Sequence, residues 1–398
     1  MLLNTERALR LMDENGLDGL LATTLPNVYY LSGLWSYLLF LLPQEAQTYA
    51  LAARDRLSHP VLVVSIGEVG RVIKDSFPGV RIITHGTYYR AVAQGVELSP
   101  EEARLKELAV DRQPTSDALE ALVAALEETG LTDKTIGLDE TGINPGYPPE
   151  LMKRFPRLKI KPAASVFKRI RMVKTAEEIK RLRAAVQVNE KAMIQALSVA
   201  REGISEDEMA REFEKALIDQ GAQPLFTLLH SGRLIAFGVS RPGDSPLRRG
   251  DQILVDVACR FQGYASDIAR TFAFGDPGER AMRHYHALLE GEERGLETIK
   301  AGVKAEEVFH ATVTAVREAG IPQFQRSHVG HGIGIVTYDA PLVAPGDETI
   351  LEEGMVLNIE PPYYEIGTGG LTVEDTLVVT KGRPELLTSL SRELEIIG

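Results

Sequence analysis

The chain is short of several things, and each shortage narrows what it does. Its 398 residues include one cysteine, Cys259. No intrachain disulfide can form, so a reducing, cytoplasmic setting is expected. The longest apolar run, "YLLFLLP" at 37–43, is far below the roughly 20 residues of a membrane-spanning helix. Positive charge is in deficit: 44 Lys and Arg stand against 56 Asp and Glu, for a net charge of -12. A surface of that sign repels nucleic acid and anionic membranes, and neither is expected as a partner. One stretch is basic, "MKRFPRLKIKPAASVFKRIRMVK" at 152–174. It reads as a solvated linker at a domain edge, because aromatics for base stacking are sparse. The opening "MLLNTERALRLMDENG" is charged and amphipathic, unlike a secretory leader.

The length is that of two domains. Residues 5–15 have helical periodicity with Gly16 as the stop. "LDGLLATT", "TYALAAR", "HPVLVVS", "VRIITHG" and "TIGLDE" read as strands, and 115–130 as an amphipathic helix closed by Gly130. This alternation predicts an α/β N-terminal domain over 1–165. From 166 to 398 the texture changes. Two capping boxes, Thr175 with Glu178 and Ser205 with Glu208, open helices that stop near Gly203 and Gly221. Strands are expected at 225–230, 252–259 and 265–274, helices at 278–300 and 304–319, and a strand-rich end. That is an α+β arrangement.

Five titratable residues interrupt those strands: Asp256 in "LVDVA", Asp267 in "YASDIARTF", His331 in "HVGHGIG", Glu360 in "MVLNIEPP" and Glu374 in "LTVEDTLVV". Aspartate is disfavoured in strands and costly to bury unpaired. Any one of them alone reads as a solvent-facing acid or a satisfied core histidine. Five in separate strands of one domain call for a common cause. With the turn inside "CRFQGY", Asp256 and Asp267 fall near each other on adjacent strands, where facing Cβ atoms lie about 4.5–5.5 Å apart. Carboxylates that close repel. Two divalent cations remove the difficulty, since four carboxylates and a neutral imidazole balance their charge. Such a donor set suits Mn²⁺, Co²⁺ or Fe²⁺ at least as well as Zn²⁺.

In that order and on those local motifs, the five residues resemble the ligand set of the pita-bread metallopeptidases, which include methionine aminopeptidase, aminopeptidase P and prolidase. "GLDGLLATTLPNVYYLSGL" is similar to the creatinase-type N-terminal domain of prolidases and aminopeptidase P, and "IRMVKTAEEIKRLRAA" to the entry of their catalytic domain. The resemblance implies a creatinase-type N-terminal domain that walls one side of a cleft, followed by a pita-bread catalytic domain. It implies two divalent ions per chain, with Mn²⁺ leading, and a homodimer. Asp256 would hold one ion bidentately, Asp267 and Glu374 would bridge both, and His331 and Glu360 would complete the second site. A metal-bridging hydroxide would be the nucleophile on a short peptide, with Glu360 handling its proton and an Xaa-Pro dipeptide as the leading substrate.

The ring around those ligands departs from the family. Val239, in "SGRLIAFGV", stands where the family has a histidine, and Tyr338 stands where it has another, seven residues after His331. Ser327 stands where a third often lies, with His328 one place later. Thr372 replaces an arginine two residues before Glu374, and Tyr364 keeps a family tyrosine. Tyr338 and His328 are therefore candidates to help catalysis, and Val239, Tyr338, Tyr364, Thr372 and His230 candidates to meet the substrate, though His230 reads first as a core histidine. His284, His286 and His310 are expected to be structural. Three rivals follow: a peptidase of non-prolyl or carboxypeptidase-type preference, a creatinase-like amidinohydrolase, and a non-catalytic binding module. The last two have lost metal ligands that this chain keeps.

Overall fold

The computed structural model describes residues 2–74 and 80–398. The chain divides into two compact units, one ending at Arg171 and the other beginning at Met172. Among the described residues of the first unit, six strands form one sheet: β1 (Gly19–Ala22), β2 (Tyr49–Ala53), β3 (Val61–Ser65), β4 (Arg81–His85), β5 (Thr135–Leu138) and β6 (Lys159–Pro162), in the order β4-β3-β2-β1-β5-β6. Helix Ala118–Thr129 starts on the Asp117 side chain, ends at left-handed Gly130, and buries Ala121, Leu122 and Leu126 against the sheet. The run "NVYYLSGL" belongs largely to a helix, Leu25–Ser32.

The basic stretch at 152–174 is not a linker. It supplies β6 and helix Ala164–Met172, which buries Val166, Phe167 and Ile170. Apolar residues three or four apart mark that buried face, but the lysines and arginines between them mask it by composition. The helix also moves the boundary from the expected 165/166 to 171/172, since Arg169 donates to Glu14 and its carbonyl accepts from Arg7, both in the first unit.

The second unit is built on a long, mainly antiparallel sheet with a small separate hairpin. Its strands are β7 (Gln223–Ser231), β8 (Gln252–Phe261), β9 (Tyr264–Phe274), β10 (Gly330–Gly332), β11 (Asp339–Leu342), β12 (Val356–Ile359), β13 (Tyr363–Glu365), β14 (Gly369–Leu371) and β15 (Val373–Val378). The main path runs β11-β10-β12-β15-β9-β8-β7, and β13 and β14 form a separate hairpin. Both predicted capping boxes are present, opening helices Ala176–Ser198 and Glu206–Asp219. These helices share a core with β8 and β9 through Met193, Phe213, Val255, Val257 and Ile268. Helices Gly278–Thr298 and Ala305–Ala319 share another with β12 and β15 through Leu288, Val308, Leu357, Ile359 and Leu377.

Strand residues alternate between faces. Odd-numbered residues of β8, β12 and β15 therefore meet the helices, and even-numbered ones point the other way. Asp256, Glu374 and the strand-end Glu360 are even-numbered. Cross-strand pairing of His331 with Asn358 puts the histidine on that same face.

Candidate metal centre

The β8–β9 hairpin turns on Gln262 and Gly263, both at positive φ, the conformation of a two-residue primed turn. Its register pairs Asp256 with Ala269 and Asp267 with Ala258. The two aspartates are thus near each other on adjacent strands, as diagonal neighbours on one face. Their separation is that of a diagonal pair, about 7–8 Å between backbones, within reach of both side chains around a shared centre. β10 places His331 between two glycines whose absent side chains matter. A Cβ on Gly330 would lie 2.2 Å from the Asn358 carbonyl oxygen, and one on Gly332 2.2 Å from that of Ala340. "GHG" is thereby what lets β10 slot between its neighbours and deliver the imidazole.

Ligand atoms of Asp267, His331 and Glu374 all lie within 4.8 Å of one another, and all three residues are buried. Glu360 joins them, its carboxylate 3.6 Å from His331 Nε2, while Asp267 is 3.8 Å from the same nitrogen. Asp256, partly exposed, completes the expected five on the same face. His331 Nδ1 lies 3.0 Å from the Gly332 carbonyl oxygen, which fixes its proton there. Burial holds the imidazole's pKa below its ordinary value, so the ring is neutral. Nε2 then presents a lone pair to two carboxylates. It is buried without a hydrogen-bond partner, as is Asp267 Oδ1. Lone pairs converging without a proton between them are what a cation resolves, so these residues fit divalent metal.

The charges of the centre bear on one another. Burial, then the neighbouring carboxylates, raises Asp267 and Glu374 well above the carboxylate range. Burial and Glu360 push Asp256 up to about 8. Glu360 is the exception. Burial opposes its ionisation, but a hydrogen bond from His328 and nearby positive charge, Arg326 included, outweigh it and hold its pKa down. Asn358, in β12, donates to Glu374 Oε1 at 2.7 Å and to the Asp267 carbonyl at 2.9 Å, aiming the acid and fixing two strands at once.

The surrounding candidates separate. Tyr338 stacks on His331 at 3.7 Å between centroids, and its hydroxyl donates to Glu360 at 3.2 Å. His328 Nε2 is 3.5 Å from both Glu360 and the Tyr338 hydroxyl. Tyr364 has its pKa raised by burial and by the Asp256 charge. Val239 is 91% exposed and, with Phe226 and Leu228 of β7, lines a cleft of about 600 Å³. Thr372 is buried, its backbone tied in both directions to the Thr271 hydroxyl. His230 takes the place of a core histidine. Its ring is buried, with Nδ1 3.2 Å from Glu206 and Nε2 3.1 Å from the Ser240 carbonyl. It pins the loop that carries Val239 and has no free nitrogen for a substrate. Sequence reasoning missed Asn358 and Arg326. A polar residue inside "VLNIE" was the available signal for the first. Arg326, five residues before His331, had none.

Residues 180–381 match the model of metallopeptidase family M24, and residues 5–173 match that of the Creatinase/Prolidase N-terminal domain. The chain belongs to metallopeptidase family M24. It is 33% identical over 263 residues to an Xaa-Pro dipeptidase of Pyrococcus horikoshii, covering 66% of this chain and 75% of that protein. Among solved structures it resembles an Xaa-Pro dipeptidase from Bacillus anthracis, with a TM-score of 0.79 at 25% identity over 99% of each chain. It also resembles the prolidase from Pyrococcus horikoshii, with a TM-score of 0.75 at 27% identity over 98% and 99%. The pita-bread fold with a creatinase-type N-terminal domain is thus the architecture of this M24 peptidase, and divalent metal is its cofactor class.

Proposed function

We propose that this M24 chain is a dinuclear dipeptidase that cleaves the Xaa-Pro bond of short peptides, with Mn²⁺ as its metal. One observation carries the reading: the neutral His331 turns an unpartnered, buried Nε2 toward Asp267 and Glu360 beside Glu374. Asp256, Asp267, His331, Glu360 and Glu374 would hold the ions. When bound, such ions polarise a scissile carbonyl and acidify water. The chain's own residues do the rest. Glu360, held ionised by His328, accepts a proton and returns it to the leaving amine. Tyr338, its hydroxyl already 3.2 Å from Glu360, stays protonated, because burial and the acids around it raise its pKa. Turned from Glu360 toward bound substrate, that single proton would serve the oxygen on which charge develops. Val239, exposed beside β7, would offer a substrate apolar contact only.

A cytoplasmic homodimer belongs to the same reading. No helix among the described residues is long and apolar enough to cross a membrane. The run "WSYLLFLLP" is less buried than its composition implies, with Tyr37, Phe40, Leu41 and Leu42 all exposed, which supports a surface that pairs with another copy. The test of function is a panel of dipeptides and tripeptides, with and without Mn²⁺, read by product analysis. Metal-dependent release of proline from Xaa-Pro dipeptides is expected. Hydrolysis of non-prolyl peptides alone would replace the prolyl reading with the rival specificity.

A further inference from the structure

The second unit holds a cavity that none of the five candidate metal ligands lines. It measures about 320 Å³, small for a ligand pocket. It lies between the β13–β14 hairpin, the turn at Gly232–Phe237 and the start of helix Gly278–Thr298. Tyr363 lines it, while Tyr364, next in β13, points to the other face of the hairpin. Glycines keep it open. A Cβ on Gly232 would lie 2.6 Å from Asp251 Oδ1, and one on Gly369 2.4 Å from the Gly232 carbonyl oxygen. Pro277, Ala281, Leu371 and the Tyr363 ring give it an apolar wall.

The charges that line the cavity do not all cancel. Arg280 donates to both carboxylate oxygens of Glu365, at 2.6 and 2.7 Å, and that pair is closed. Burial, then Arg280, lowers the pKa of His284, so it adds no charge. Arg233 and Asp251 remain, each without an ionic partner among the described residues. Arg233 Nε donates to the Gly367 carbonyl at 2.5 Å, which commits the guanidinium to the hairpin rather than to Asp251. Asp251 Oδ2 accepts from the Arg248 N–H at 2.8 Å, and its Oδ1 accepts from nothing. The two side chains start close together. Arg233 follows Gly232, whose missing Cβ is the one that would crowd Asp251, and consecutive Cα atoms are about 3.8 Å apart. One cation and one anion, not paired with each other, thus share a small cavity.

We propose that this cavity is a second ligand site that binds a free α-amino acid as its zwitterion, Arg233 meeting the carboxylate and Asp251 the ammonium. An α-amino acid carries both charges on one carbon, the short spacing that neighbouring anchors require. A simple anion such as phosphate would be repelled by Asp251, and a metal cation by Arg233, so neither suits the pair. The apolar wall suits a small neutral side chain. The site stands apart from the dipeptidase reading, whose products are of this class.

The test is calorimetric titration of the full-length, Mn²⁺-loaded protein with L-alanine, N-acetyl-L-alanine and L-alaninamide. Each blocked analogue lacks one of the two charges. The parent is expected to bind alanine about fivefold or more tighter than either, as one hydrogen-bonded charge pair provides. Asp251→Asn, which keeps a side-chain acceptor for the Arg248 N–H, should erase the advantage over acetylalanine. Arg233→Gln should erase the advantage over alaninamide. An amino acid also finds a place on bound metal, so the titration is repeated on Glu374→Gln, where alanine binding should survive. The proposal is overturned if the parent shows no preference for alanine, or if Asp251→Asn and Arg233→Gln both keep it. It is equally overturned if Glu374→Gln loses alanine binding while the two cavity variants retain it, which would place the amino acid on the metal. If Asp251→Asn does not fold, Arg233→Gln, an exposed side chain, decides alone. A parent that cleaves no Xaa-Pro peptide defeats the dipeptidase reading and leaves this binding comparison to decide the second site by itself.

Discussion

Two buried acidic clusters sit back to back on the same sheet, and they are balanced in opposite ways. Glu374 and Asp375 are consecutive in β15 and so point to opposite faces. Glu374 looks onto Asp267 and His331, where carboxylates gather and His331 is neutral. Asp375 looks toward the helices. It is gripped by Arg270 at 2.5 Å and by the Thr388 hydroxyl at 2.6 Å, with Arg392 3.8 Å away and also 3.8 Å from fully buried Glu292. Arg270 further donates to the Ser391, Ala269 and Leu390 carbonyls. On the helix side the fold supplies its own cations. On the open side it leaves negative charge that only something from outside can neutralise. Buried acids alone do not mark a metal site; what marks it is that, among the described residues, no arginine closes on them as Arg270 closes on Asp375, Arg326 acting only at longer range.

The comparison can be broken most severely at Asp267. Asp267→Asn should lower turnover by roughly 10⁴-fold, about 5.5 kcal/mol of barrier. It should also raise the thermal midpoint of the metal-stripped protein, because one repelling charge is gone. A lower midpoint would mean that the centre is internally balanced after all. On the other face the same kind of deletion should do the reverse. Arg270→Met leaves Asp375 and Glu292 without their main countercharge and should cost about 3–5 kcal/mol in denaturant unfolding, with metal stoichiometry unchanged in the folded fraction.

Metal removal sharpens the contrast through pH. A carboxyl whose pKa rises on folding makes the folded state bind more protons. That stability is complete below the unfolded value, about 4, and is lost as pH climbs through the folded value, about 8 for Asp256. The metal-stripped protein should therefore lose stability between those limits. Mn²⁺ at a hundredfold excess over its Kd should restore about 2.7 kcal/mol near neutrality and flatten the slope. An unchanged slope on loading would show that the titrating acids lie elsewhere, Glu292 and Glu178 being the alternatives, since burial raises both. The smallest expected effect is at the edge of the centre. Tyr338→Phe should reduce kcat about tenfold, about 1.4 kcal/mol, with metal content unchanged. Full activity in that variant would leave Tyr338 as packing against His331.

Much of this was legible from residue order. Strand alternation with five embedded titratable residues pointed to one polar face, and the capping boxes and the α/β then α+β division followed from local signals. Register was harder. A turn placed only to within a residue or two leaves open whether Asp256 and Asp267 face each other or sit diagonally, and the positive φ of Gln262 settled it. The basic stretch misled because charge density hides a buried stripe of Val166, Phe167 and Ile170. His230 could not be judged without Glu206, which packs on it from another helix. Arg326 was invisible because its bearing on Glu360 and on the Tyr364 ring arises only from packing.

The open face of the sheet is held to draw its missing positive charge from two divalent ions. Elemental analysis of the full-length protein after Mn²⁺ saturation and removal of excess metal tests it most directly. Close to two ions per chain are expected, with Glu374→Gln holding fewer and Arg270→Met, where folded, holding the same as the parent. A protein that retains no metal, or one that hydrolyses peptides at full rate without it, would contradict the claim.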